Sequence, residues 1–231
     1  QLEAALDSCN RAIQIQPDYA PAYSNRGVAL IELGQPKEAV VSYDQAIQLQ
    51  PDYAPAYSNR GNALTELGRL EAALDSCNRA IQIQPNYAQA YINRGVVLKE
   101  LGQLEAALDS CNRAIQIQPD DAQAYSNRGV ILTGIGQPEA ALDSYNRAIE
   151  LKPDDAEAHS NQIFTQDFLS TIDLIQQQKE RQLWDQRFVQ PLQKYHYPHP
   201  NKPDSERPLR IGYVSADFKR HSAAQGFADL I

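Results

Sequence analysis

A unit of 34 residues returns along this chain with its glycines and prolines in register. From Ala20 to Tyr53 it reads APAYSNRGVALIELGQPKEAVVSYDQAIQLQPDY. Gly27, Gly61, Gly95 and Gly129 are then one site, and Gly34, Gly68, Gly102 and Gly136 another. Pro17, Pro51, Pro85, Pro119 and Pro153 are a third. A period of this length means that one supersecondary unit is stacked on copies of itself, because no single unit can bury its apolar face alone. The expected fold is a solenoid.

Each unit reads as two helices. At about 100° per residue, Tyr23, Gly27 and Leu30 share one stripe of the first, and Ala39, Tyr43, Ala46 and Ile47 one stripe of the second. Gly34 is expected to end the first helix in the left-handed conformation, and Pro51 to close the second by denying its predecessor the helical one. Small Gly27, Ala39 and Ala46 allow close approach, while Tyr23, Leu30 and Tyr43 fill the space between.

Tyr23, Arg26, Gly27, Leu30, Ala39, Tyr43 and Pro51 resemble the tetratricopeptide (TPR) pattern W-x2-L-G-x2-Y, A-x3-F, P. Tyrosine stands where tryptophan is usual, and Arg26, Arg60, Arg94 and Arg128 where leucine is usual. The resemblance implies an all-α, right-handed α-solenoid of helix-turn-helix repeats. A half repeat at 1–19 is followed by repeats at 20–53, 54–87, 88–121 and 122–155, so that the array occupies 1–155.

Acidic residues outnumber basic ones, 29 to 21, for a formal net charge of −8. Residues 1–155 hold 12 Lys and Arg against 20 Asp and Glu, while 156–231 hold nine of each, so the repeats carry the whole excess. Such an array repels phosphate backbones, and nucleic acid is not an expected partner. No run of about 18 apolar residues offers a membrane span. Cys9, Cys77 and Cys111 all fall at the second-helix site that Tyr43 and Tyr145 fill elsewhere. They read as buried small apolar residues too far apart for a disulfide, in keeping with a reducing cytoplasm.

The chain opens at Gln1 in the second half of a repeat and contains no methionine. More repeats are therefore expected upstream, with the terminal helix as a surface for self-association. At the other end His159 occupies the tyrosine site and Ile163 the glycine site, so the next helix is not expected to pack as closely. Residues 156–195 read as a divergent helical extension. Ser170 and Asp173 suggest a cap for a helix running through Ile172, Ile175, Leu183, Trp184 and Phe188 until Pro191 stops it, with Trp184 an anchor. Residues 196–208, with Pro198, Pro200, Pro203 and Pro208, read as a linker in which His196 and His199 are solvated and ligate no metal.

From 209 to 231 the pattern changes to a strand, LRIGYV at 209–214, then a loop and a helix starting near Ala223. A lone strand leaves unpaired edges, a second route to self-association. Arg210, Ile211, Gly212, Tyr213, Val214, Ser215, Asp217, Phe218, His221 and Ser222 resemble the opening of the catalytic domain of O-GlcNAc transferases, in which tetratricopeptide repeats precede two Rossmann-like lobes. The resemblance implies that 209–231 begins an α/β glycosyltransferase lobe and that N-acetylglucosamine passes from UDP-GlcNAc to protein serine or threonine. It also implies that His221 lies in the active site, with Asp217 in support. A histidine there suits proton handling near neutral pH, although one that only caps a helix would look the same in sequence. No cofactor is expected within these residues. The remainder of the lobe is missing, so the chain alone is expected to be inactive.

Asn25, Asn59, Asn93, Asn127 and Asn161 recur once per repeat, roughly 200° around the first helix from Tyr23. Asparagine is a mediocre helix former, so its placement calls for an offsetting interaction. It either bonds a neighbouring repeat and braces the stack, or serves a ligand. The resemblance implies the second: a ladder along a concave groove, open to solvent until an extended peptide or substrate protein binds to its amides. Without a catalytic lobe, the same array would be a TPR adaptor joining proteins.

Overall fold

The computed structural model describes residues 2–169 and 174–195, which are helical and contain no strand. The chain falls into two compact units, Gln1–Leu192 and Gln193–Ile231, and only 193–195 of the second are described. The proposed cap at Ser170 and Asp173, the linker with His196 and His199, the strand at 209–214, and Asp217 and His221 all lie outside the described residues.

Helix α1 (Leu2–Ile15) is the second helix of the half repeat. Four helix pairs follow: α2 (Ala20–Glu32) with α3 (Pro36–Leu49), α4 (Ala54–Glu66) with α5 (Leu70–Ile83), α6 (Ala88–Glu100) with α7 (Leu104–Ile117), and α8 (Ala122–Ile135) with α9 (Pro138–Leu151). Helix α10 (Ala156–Gln166) opens a fifth unit, and α11 (Leu174–Trp184) comes after it.

Each first helix ends on a glycine with positive φ: 72° at Gly34, 70° at Gly68, 73° at Gly102 and 84° at Gly136. At Gly34 the chain turns back so that Gln35 N donates to Leu30 O at 2.8 Å and Gly34 N to Ile31 O at 2.9 Å. This satisfies two carbonyls that a helix end leaves open. Each second helix ends on an extended residue before proline, as Gln50 does at φ −137° and ψ 90°. Both punctuation marks read from the sequence are therefore in place.

The core is a row of small clusters, each shared between consecutive units. Leu30, Ala39 and Tyr43 pack with Ala63 of the next repeat, and the motif returns as Leu64, Ala73 and Cys77 with Val97, then as Leu98, Ala107 and Cys111 with Ile131. Cys77 and Cys111 are buried and all three cysteines are free. Burial raises both buried thiols to a pKa of about 12, with the nearby Arg94 and Arg128 respectively pulling slightly the other way.

Beyond α10 the packing changes. Trp184 does anchor its helix, donating from Nε1 to Ala156 O at 3.3 Å, but Ile175 and Leu183 are largely exposed. Pro191 does not stop the helical path. A π-helical turn at Asp185–Val189 leads into a 3-10 helix at Gln190–Tyr195. Proline is tolerated in the first turn of a new helix, where its missing N–H would have no intrahelical partner.

Candidate functional site

Successive first helices, α2, α4, α6, α8 and α10, touch one another, whereas successive second helices make no contact of that extent. The first helices therefore lie on the inner side of the stack within this unit. Their outward stripe carries Asn25, Val28 and Glu32 on α2, Asn59, Asn62 and Glu66 on α4, Asn93, Val96 and Glu100 on α6, Asn127, Val130 and Gly134 on α8, and Asn161, Phe164 and Phe168 at the end. Phe164 and Phe168 are 58% and 59% exposed and meet edge to face with centroids 5.1 Å apart.

The five asparagines are not equivalent. Asn25 is exposed, and Asn59, Asn93, Asn127 and Asn161 are half-buried. Asn93 Nδ2 donates to Ser58 O at 3.1 Å and to Ser58 Oγ at 3.0 Å, while its Oδ1 accepts from Gln89 Nε2 at 3.0 Å. It braces α6 against α4, so the expectation of a side chain open to solvent fails there. The reason is packing between repeats, which a single-helix projection omits. Asn127 Nδ2 is the opposite case, buried with no hydrogen-bond partner. Beside it lies a cavity of about 210 Å³ lined by Asn127, Asn161, Val96, Val130, Lys99 and Glu157, among others.

Beneath this face the arginines form a frame. Nε of Arg26, Arg94 and Arg128 donates to Oγ of Ser42, Ser110 and Ser144 at 2.9, 3.0 and 3.0 Å. Each guanidinium also lies over the tyrosine one turn back, 5.3 Å from the Tyr23 ring, 5.1 Å from Tyr91 and 5.2 Å from Tyr125. Arg60 differs, pairing instead with Asp44 at 3.2 Å. Asp44 stands where Asn78, Asn112 and Asn146 stand in the other second helices, so the added carboxylate redirects it. These roles escaped the sequence reading; the constant 16-residue offset between Arg26 and Ser42, repeated at Arg94 and Ser110, was the available signal. The tyrosines have a second task. Tyr23, Tyr57 and Tyr91 donate from their hydroxyls to the carbonyls of Pro17, Pro51 and Pro85 at 3.1–3.3 Å, and His159 Nε2 makes the same bond to Pro153 O at 3.0 Å.

A larger cavity of about 410 Å³ lies between α10 and the π-helical turn, lined by His159, Gln162, Leu183, Trp184 and Phe188 among others. Among the described residues no group of three or more His, Cys, Asp or Glu could hold a metal ion, and no helix is long and apolar enough to cross a membrane.

Family models described as "TPR repeat" match residues 27–67 and 61–102, and others described as "Tetratricopeptide repeat" match 8–41 and 103–161. No curated protein matches the chain. Among solved structures, MamA is 25% identical, with 68% of this chain and 91% of that one covered and a TM-score of 0.55. YrrB, described as a TPR protein with an unusual peptide-binding site, is 24% identical over 81% of this chain and 94% of its own, with a TM-score of 0.57. A TPR protein of Thermus thermophilus is 24% identical over 71% and 90%, with a TM-score of 0.65. Repeat period, helix pairing and family models agree that the chain belongs to the tetratricopeptide-repeat proteins.

Proposed function

We propose that this chain binds extended peptide segments of partner proteins along the inner face of its first helices. The observation that carries the reading is the row of asparagines, one per repeat, on the stripe that neither second helices nor neighbouring repeats bury completely. An amide donates to peptide carbonyls and accepts from peptide N–H groups, so such a row engages backbone and tolerates varied side chains. The fold shared with YrrB, a protein described as having a peptide-binding site, supports the reading by likeness. Panning a displayed library of 12-residue peptides on the protein, then cross-linking the selected peptide, tests it. Cross-links should fall on α4, α6 and α8. Cross-links confined to second helices would contradict it.

A second reading adds chemistry. The sequence from Arg210 to Ser222, with Asp217 and His221, supports membership of a protein O-GlcNAc transferase that takes UDP-GlcNAc as donor. In that reading residues 1–155 present the acceptor protein. In this reading turnover needs a sugar-nucleotide lobe beyond residues 1–231, so those residues by themselves should transfer nothing from UDP-GlcNAc to an acceptor protein. The same assay on a chain extended through two α/β lobes should give turnover that His221→Ala abolishes.

A further inference from the structure

The fifth unit does not close as the units before it do. In repeat 122–155 a Cβ built on Gly129 would lie 2.6 Å from Cε1 of Tyr145, so α8 and α9 meet through bare backbone, and Arg128 Nε donates across that contact to Ser144 Oγ at 3.0 Å. In α10 the same two positions hold Ile163 and Gln162. A side chain at 163 rules out so close an approach. Gln162 reaches the other way and donates from Nε2 to Asn146 Oδ1 on α9. Helix α11 still lies against α10, tied by Trp184 Nε1 to Ala156 O. What the lost contact leaves is the cavity of about 410 Å³ lined by α10, α11 and the π-helical turn.

We propose that this cavity is a second interaction site, apart from the inner face, and that it takes one uncharged aromatic side chain carried by a partner protein. Its walls supply the reason. His159, Phe188 and Trp184 form a tilted row, with centroids 5.3 Å apart at 54° and 5.9 Å apart at 48°. Tilted rings accept a further ring in the same manner and gain more from it than from an aliphatic group of equal area. His159 Nε2 and Trp184 Nε1 are already engaged, by Pro153 O and Ala156 O. Ile163 and Leu183 add apolar lining, and Leu183 is 48% exposed, so the cavity opens to solvent. Its two charged lining residues, Glu180 and Arg187, are of opposite sign, which favours a neutral occupant over a cation or an anion. Gln186 offers an amide to the backbone that carries the ring. The volume suits a ring with its flanking backbone and lies within the range of ligand pockets, about 300–1,000 Å³. Single π-helical turns are rare and frequent at functional sites, and the turn at Asp185–Val189 supplies Gln186, Arg187 and Phe188 to this wall.

Trp184 is the only tryptophan in the chain and stands in the cavity wall, so its fluorescence reports occupancy. Titrating acetyl-Gly-Phe-Gly-amide into the full chain should shift its emission saturably in about the millimolar range. The leucine counterpart of that peptide should bind about threefold to tenfold more weakly, and the lysine and aspartate counterparts should give no shift. Ile163→Phe fills the cavity and should abolish the response while the helical circular-dichroism signal is kept. Phe188→Leu keeps an apolar wall without its ring and should weaken the phenylalanine peptide by about threefold to tenfold. Phe164→Ala, on the inner stripe of the same helix, should bind as the parent sequence does. No saturable shift, an equal response to the lysine or aspartate peptide, undiminished binding by Phe188→Leu, or a response to benzyl alcohol with none to the phenylalanine peptide overturns the site. Loss of binding in Phe164→Ala with none in Ile163→Phe also overturns it and moves the ring to the inner face, leaving the peptide-binding reading standing.

Discussion

A Cβ built on Gly27 would lie 2.5 Å from Cε1 of Tyr43, inside the contact limit of the two atoms. The first and second helices of a repeat therefore touch through a backbone with no side chain, and the ring fills what the glycine leaves open. At Gly61 and Gly95 the opposing group is a thiol sulfur, Cys77 Sγ at 2.6 Å and Cys111 Sγ at 2.9 Å. Replacing glycine by alanine within a helix ordinarily gains about 1 kcal/mol, but overpacking costs about 1–3 kcal/mol. Gly27→Ala should thus lower stability in urea unfolding, and by more than Gly95→Ala, where the clash is smaller. Equal or raised midpoints for Gly27→Ala would show that the helices part freely.

The turn glycines separate conformation from space. A Cβ on Gly68 meets nothing within 4 Å, yet φ is 70°. Gly68→Ala should cost about 1 kcal/mol through backbone strain alone, and Gly68→Asn less, since asparagine tolerates the left-handed region. Thermal unfolding of the pair checks the order.

Alkaline pH should weaken the fold through the buried thiols. Desolvation holds Cys77 and Cys111 at about 12, whereas unfolded thiols ionise near about 8.5. Above the lower value the unfolded chain binds fewer protons than the folded one, so stability is full below it and falls as pH rises towards 12. Cys77→Ala should flatten that fall, measured as the urea midpoint between about pH 8 and 11. In the native protein Cys9, which is half-buried, should react with a thiol reagent well before Cys77 and Cys111.

Asn93 and Asn25 should behave oppositely. Asn93→Ala removes a brace of three hydrogen bonds around one amide and strands Ser58 Oγ, at a cost of about 1–3 kcal/mol. Asn25 is exposed, and Asn25→Ala should leave stability unchanged or raise it by a few tenths of a kcal/mol through helix propensity. Melting temperatures decide between them.

The contrast marks where sequence reading stops. Helix ends, the glycine contacts and the register of the core were legible because each is set within 34 residues and repeated, so Gly34, Pro51 and Tyr43 could be assigned from spacing alone. The fate of Asn93 was not, because its partner Ser58 sits 35 residues back on another helix. The role of Arg26 was not legible either, since a projection of one helix cannot show that Ser42 comes within 2.9 Å. The π-helical turn after Trp184 has no spacing signature, and Pro191 pointed to an end that the chain passes by changing helix type.

The inner face as a peptide site is tested most directly by calorimetric titration of the strongest panned 12-residue peptide into the protein and into the Asn59→Ala/Asn127→Ala double variant. Each lost amide should weaken binding by about fivefold to tenfold, with the melting temperature held or slightly raised. Unchanged affinity with a lowered melting temperature would contradict the account and leave these asparagines as braces of the stack.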